Sequence, residues 1–322
     1  PALFFLNLPL DLIEALTYGR EWQFGYDKLP PLPWWMVEVT YRLFRHDLFY
    51  YALSQATILS TFALIWVMGR KLVGATGALV AILILDGLHY FQFTAPKFNH
   101  DVVQLPFWAL AGVSYWAALQ RGRSIHWALL GFAIGMAVWA KYFVVVLVVP
   151  LALFMLLDRQ ARRALLTPGP WVAIAIALIV MAPHAVWLLQ HDFLPFRYAE
   201  ARAVPFSRHL DYLIKPLLFL LSQLLDLLPA LLIATPYLRR DASEVIEPAR
   251  RADDFDRRIV AMLAFGPAAA VAVLSLITGR GAVSLWAYPL SLFFGLWIVL
   301  QALPLKRLTF TRVVATWAVV FV

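Results

Sequence analysis

Cysteine is absent from the 322 residues. That excludes disulfides, thiolate metal ligands and a cysteine nucleophile. Charge is scarce as well. Asp, Glu, Lys and Arg make up 14% of the chain, against about 25% in an ordinary soluble domain. So few charges cannot cover the surface of a soluble globule. A disordered chain would be polar and charge-rich, and is excluded for the same reason. No basic stripe accompanies the net charge of +8, so the excess reads as a topology signal and not as a nucleic-acid surface. The short alternating segments of a transmembrane barrel are missing too.

Long apolar runs take their place. Hydrophobic residues make up 62% and aromatics 15% of the chain, and the mean hydropathy is +0.75. The fold class expected is all-α, a polytopic transmembrane helical bundle. A span needs roughly 20 apolar residues. Candidate runs lie at 48–69, 75–92, 102–119, 126–140, 142–157, 171–189, 213–237, 259–277, 284–302 and from 310 onward. The stretch 126–157 is too long for one span and carries Lys141 near its middle, so two short helices are expected to meet at that lysine. No internal repeat is visible, and residues 1–322 read as one transmembrane domain. The sequence opens without Met on the apolar PALFFLNLPL and stops inside another apolar run. A fragment lacking the first span and the last spans is the expectation.

Orientation follows from Lys and Arg. With the first loop, 11–47, placed outside, 190–212 is a second outer loop and 239–258 a cytoplasmic one. The inner loops then hold 16 of the 27 basic residues, in keeping with the positive-inside rule. The outer side keeps 11, which is many for its role.

That outer side concentrates the polar residues. Asp11 and Glu14 come first, then Tyr26, Asp27 and Lys28 before Pro30-Pro31. Asn99, His100 and Asp101 precede a span, and Lys141-Tyr142 separates two. His184, His191, Arg197 and Arg202 follow, and Arg280 comes last, ahead of Trp286-Ala-Tyr288-Pro289. Ionisable groups at a membrane boundary are costly unless paired or solvated in a cavity. Carboxylates beside fixed cations suit transfer from a phosphate-bearing lipid. A carboxylate acts as general base on a hydroxyl, and cations neutralise a phosphate leaving group.

Two stretches carry a family resemblance: Asp11-x-x-Glu14-Ala15, and Trp22-x-x-Gly25-Tyr26-Asp27-Lys28-x-Pro30-Pro31-Leu32. An outer acidic residue followed about 14 residues later by Gly-Tyr and a Pro pair resembles glycosyltransferase family 39 of the GT-C superfamily. That group holds bacterial relatives of the dolichyl-phosphate-mannose protein mannosyltransferases and of the lipid A aminoarabinose transferase. The segments Lys97–Asp101, Lys141-Tyr142 and Trp286–Leu290 are similar to family features. The resemblance implies a GT-C bundle and an inverting enzyme of the bacterial inner membrane with its site facing the periplasm. The implied donor is a polyprenyl-phosphate sugar, and the acceptor is a hydroxyl of a lipid or protein of the cell envelope. Membrane lipids would be further partners; nucleic acid would not. It implies Asp11 as the base, Asp101 as the second acid and Lys28 as a phosphate contact. The usual Asp-Glu pair is Asp11-Leu12 here, with the Glu displaced to Glu14, and a frequent His before the Pro pair is Leu29. Asp11 and Glu14 therefore remain alternatives.

Lys141 and Arg280 are expected at the donor phosphate beside Lys28. Tyr26, Asp27, Asn99, His100, His184, Arg197 and Arg202 are expected at the substrates. Competing readings are structural. Asp11 or Asp101 could cap a helix, Asp27 and Lys28 could form a surface ion pair, and Lys141 could snorkel. The histidine spacing is not a metal-ligand signature, and no cofactor is expected. Asp86, Gln223 and Asp226 fall in or near spans and suit hydrogen bonds between helices. A transporter or flippase could use the same charged cavity, but transporters place charges near the midplane, whereas here they crowd one side.

Overall fold

A computed structural model describes residues 7–202, 205–238, 245–246, 252–301 and 305–321. The elements, in chain order, are α1 (Leu10–Tyr18), α2 (Leu32–Phe44), α3 (Leu48–Asp86), α4 (His100–Arg121), α5 (Ser124–Ala140), α6 (Val145–Leu157), α7 (Gly169–Gln190), α8 (Leu194–Arg202), α9 (Asp211–Asp226), α10 (Leu228–Leu238), α11 (Asp254–Thr278), α12 (Phe294–Gln301) and α13 (Arg307–Phe321). A two-residue antiparallel ribbon pairs β1 (Val245–Ile246) with β2 (Leu305–Lys306).

By length and apolarity α3, α4, α7 and α11 can each cross a membrane. The α9–α10 pair can act as a fifth span, bent by 42°. The runs 126–140 and 142–157 form shorter helices that part at Lys141, where the backbone turns extended (φ −164°, ψ 135°). Helix signals agree with these bounds. Asn99 caps the start of α4 through its side chain and Gly122 ends it in the left-handed region. Asp253 and Asp256 form a capping box at the head of α11.

The run 48–69 and most of the run 75–92, read as separate spans, fall in α3. Gly74 breaks it at φ 75°. A Cβ added to Gly69 would stand 3.0 Å from the Cβ of Ala78, whereas a straight helix would separate residues nine apart by about 13 Å. The chain therefore folds back at Gly74, whose left-handed backbone only glycine adopts readily. The second run ends earlier than expected, at Asp86, and a π-helical turn follows at Tyr90–Thr94. The run 284–302 is likewise shorter as helix: a 3-10 turn covers Ser284–Ala287 and α12 begins at Phe294. The loop 190–212 contains α8, entered through left-handed Asp192 and Phe193. Within the expected loop 239–258, positions 239–244 and 247–251 lie outside the described residues, as do 1–6 and 302–304.

The core runs through α4, with Trp108, Tyr115 and Trp116 buried on it. Helix α5 packs between α4 and α7. A Cβ on Gly131 would come within 2.2 Å of the Ala173 carbonyl oxygen, so this glycine permits the close approach of α5 and α7. Hydrogen bonds between segments hold the half-buried carboxylates Asp86 and Asp226, as expected. Asp226 accepts from Tyr90 at 2.8 Å, and Asp86 accepts from Gln92 and from Trp317 on α13.

These packings gather one set of helix ends at one side. The loop before α2, the head of α4, the junction at Lys141, the tail of α7, and the turn before α12 meet there. Lys71, Arg121, Arg123, Asp158 and Arg258 belong to the opposite ends.

Candidate active site

The first loop is clamped before any of its charges matter. Tyr26 is buried, sends its hydroxyl to the Tyr18 carbonyl at 2.8 Å, and packs edge-on against Trp34. Gly25 lies under the indole of Trp187 on α7; a Cβ there would sit 2.1 Å from the ring. This explains glycine at that point of the motif. Trp35 and Phe24 pack on Trp139 at the end of α5. His100 donates from Nε2 to the Pro30 carbonyl at 3.0 Å, and His184 donates from Nδ1 to the Phe24 carbonyl. With Nδ1 protonated, the neutral ring accepts at Nε2, so Tyr142 donates to it at 2.8 Å. The two histidines therefore tether backbone carbonyls of the loop.

On this frame three carboxylates and two lysines meet. Lys28 reaches both oxygens of Glu14 at 2.8 Å. Lys141, 8% exposed, donates to Asp101 Oδ1 at 2.6 Å, and Gln104 donates to the same oxygen at 3.0 Å. The Lys141 ammonium also stands 5.0 Å from the Trp286 ring centroid. Asn99 links the groups: Oδ1 accepts from the backbone of Asp101 and Val102, and Nδ2 donates to Asp11 at 3.1 Å. Asp11 has no cationic partner within ion-pair distance among the described residues. It stays exposed while Glu14 and Asp101 are neutralised. Tyr288 lies beside Asp101 and Asp11, and Tyr198 on α8 lies near Lys28.

Burial pulls the Lys28 ammonium down, but the hydrogen bond and charge of Glu14 outweigh it and hold the group above the usual lysine value. Lys28 therefore carries its charge throughout the physiological range.

Several sequence readings change on this geometry. Lys28 pairs with Glu14 and not with its neighbour Asp27, which is exposed and lies next to Tyr18. Neither aspartate is a cap. Asp11 lies inside α1 after Pro9, and at α4 the cap is Asn99, which frees Asp101 for Lys141. Lys141 does not snorkel. Arg280 stands apart from the cluster: it bonds the Glu200 side chain at 3.3 Å and its carbonyl at 3.1 Å. Arg202 lies over the Tyr198 ring, and Arg197 is exposed on α8 with no side-chain partner among the described residues. The third histidine, His191, stacks on Trp187. No group of three metal-ligating side chains occurs among the described residues. Gln104 escaped the sequence reading, although a lone amide three residues after Asp101 in an apolar helix was the signal available.

Known proteins resemble the chain in sequence and in fold. The family described as dolichyl-phosphate-mannose-protein mannosyltransferase matches residues 28–187, a stretch that holds Lys28, Asn99, Asp101 and Lys141 and stops short of Asp11. Lipid A galacturonosyltransferase RgtD of Rhizobium johnstonii is 28% identical over 199 residues, which cover 59% of this chain and 40% of that protein. Lipopolysaccharide core galacturonosyltransferase RgtA of the same organism is 27% identical over 198 residues, covering 56% and 37%. The chain thus spans about two fifths of the length of these curated relatives. The structure of ArnT from Cupriavidus metallidurans bound to undecaprenyl phosphate superposes with a TM-score of 0.65 at 16% identity, over 91% of this chain and 55% of that one. Its apo form gives 0.59 over the same shares. These likenesses bear out the family resemblance, the family model taking in the first-loop motif only from Lys28 onward, and the ArnT structures share the fold of the bundle. The chain is an integral membrane protein of that fold.

Proposed function

We propose that the chain carries the membrane-embedded site of an inverting glycosyltransferase. It moves a sugar from a polyprenyl-phosphate donor to a hydroxyl of a lipid A or lipopolysaccharide-core acceptor, on the periplasmic side of the inner membrane. The observation that carries this reading is the division of labour among three carboxylates. Glu14 and Asp101 each hold a lysine, and Asp11 alone stands without one. A base must be free to take a proton, and a cation must be fixed to meet a phosphate. Both conditions are met within one cluster.

In this reading Asp11, not Glu14, takes the acceptor proton. The acceptor oxygen then attacks the anomeric carbon from the face opposite the phosphate. Lys28, held charged by Glu14, and Lys141, held by Asp101, neutralise the charge that grows on the phosphate as the glycosidic bond breaks. A positioned base contributes roughly 10²–10⁴-fold. The names of the two curated relatives support a hexuronic acid as the sugar, and Arg197 supplies an uncommitted cation on α8 for its carboxylate. The crowding of charge at one end favours the enzyme over the transporter alternative, whose charges belong near the midplane.

The test is transfer in membranes containing the whole protein, using radiolabelled undecaprenyl-phosphate galacturonate, a neutral hexose analogue and aminoarabinose as donors with lipid A and core acceptors. Transfer from the uronate donor that collapses in Lys28→Ala supports the reading. Transfer from a neutral donor alone would refute the hexuronate assignment. No transfer from any donor by folded protein would refute the enzyme.

A further inference from the structure

Asn99 performs two tasks with one amide, and its orientation is fixed by chemistry. The backbone N–H groups of Asp101 and Val102 point at one end of the amide, at 3.0 and 3.1 Å. Only an oxygen accepts from them, so Oδ1 faces the helix and the NH₂ faces outward. That NH₂ donates to Asp11 Oδ2 at 3.1 Å. Residues 88 positions apart are thereby joined through a helix cap.

We infer that Asn99 is a positioning residue, whose α4 cap aims a hydrogen-bond donor at Asp11 and so holds that carboxylate facing the cluster. This rests on the role of Asp11 proposed above and extends it: the placement of the base is set from α4, not only from α1 on which the base sits. The charged and titratable groups around Asp11 are Glu14 on its own helix, Lys28 of the first loop, Asp101 at the head of α4 with Lys141 behind it, and Tyr288 before α12. Both lysines are engaged with other carboxylates. Among the described residues Asn99 therefore makes the one direct side-chain hydrogen bond to Asp11.

The cap and the donor can be separated. Asp and Ser cap a helix about as well as Asn. Asn99→Ser keeps an oxygen for the helix and, with its shorter side chain, withdraws the donor from Asp11. Asn99→Asp keeps the cap and puts an acceptor where the donor was. Two readouts follow in the whole protein in membranes. Thermal unfolding reports the cap. The split between kcat and the donor KM, in transfer from undecaprenyl-phosphate galacturonate, reports the placement of the base.

Asn99→Ser is expected to lower kcat by about tenfold or more while the donor KM and the unfolding temperature hold, and to cost nothing further in an Asp11→Asn background. Asn99→Asp should act in the same direction. A merely structural asparagine would lower the unfolding temperature and leave the kcat of the folded protein in place. A native kcat in both variants, with Asp11→Asn inactive, would overturn the inference. Full transfer by Asp11→Asn would overturn the catalytic reading instead.

Discussion

Asp11 and Asp256 stand at opposite ends of the bundle and show what partners make of a carboxylate. Asp256 is fully buried. Its Oδ1 accepts from Trp116 at 2.7 Å and from Gln120 at 2.6 Å, and its Oδ2 accepts from the Asp253 backbone in the capping box of α11. Such a group builds structure, tying α4 to α11. Asp11 is exposed and accepts from the single amide of Asn99. The same residue type is an anchor where its acceptors are filled and a reagent where they are left open. The lysine pairs of the site end fall between these extremes, each carboxylate there being met by one ammonium.

The comparison can be broken from either end. Lys141→Met would leave Asp101 buried without its cation, and removing one partner of a buried pair costs about 3–5 kcal/mol. Chemical unfolding in detergent should show that loss, and adding Asp101→Asn should recover most of it without restoring transfer. Trp116→Phe removes one donor from Asp256. It should cost about 2 kcal/mol and leave the donor KM of the folded fraction unchanged, because nothing at that end meets substrate.

Subtler is Glu14→Gln. Burial opposes the Lys28 charge and Glu14 reverses it. Because the folded value lies above the ordinary 10.5, the stabilisation from this pair is complete below that value and fades as pH rises through the raised one. With glutamine the charge of Glu14 no longer offsets burial, and only the weaker attractions of Tyr198 and Asp11 remain. The alkaline limb of transfer should then shift to lower pH in a pH–rate profile, while Asp11-dependent chemistry at neutral pH persists. The smallest effect belongs to the far end. Arg258, half exposed, reaches Asp158 at 2.8 Å, and Asp158→Asn should cost under about 1 kcal/mol of stability and nothing in transfer rate.

Much of this arrangement could be read from residue order, and the unread part has a physical cause. Apolar runs located the spans, and Lys141 marked the helix break because a lysine in the middle of an apolar run forces one. The motif from Gly25 to Pro31 marked the first loop. The reason for its glycine lies 162 positions away, in the Trp187 ring. Adjacency suggested Asp27 for Lys28, but neighbours in an extended loop point apart, and the fold of α1 brought Glu14 instead. Asp101 offered itself as a cap, and the cap is Asn99 two residues earlier, because the choice depends on where the helix starts and pattern places that only to within a few residues. The hydrogen-bond chain from Tyr142 through His184 to Phe24 joins three distant segments and leaves no local trace.

The central claim is that Asp11 is the group that acts and the surrounding pairs are what hold the donor. The direct measurement is donor binding and transfer side by side for Asp11→Asn, in membranes supplied with radiolabelled undecaprenyl-phosphate galacturonate and lipid A. The account predicts binding like that of the native protein and transfer reduced by at least about 100-fold. Full transfer by Asp11→Asn would contradict it.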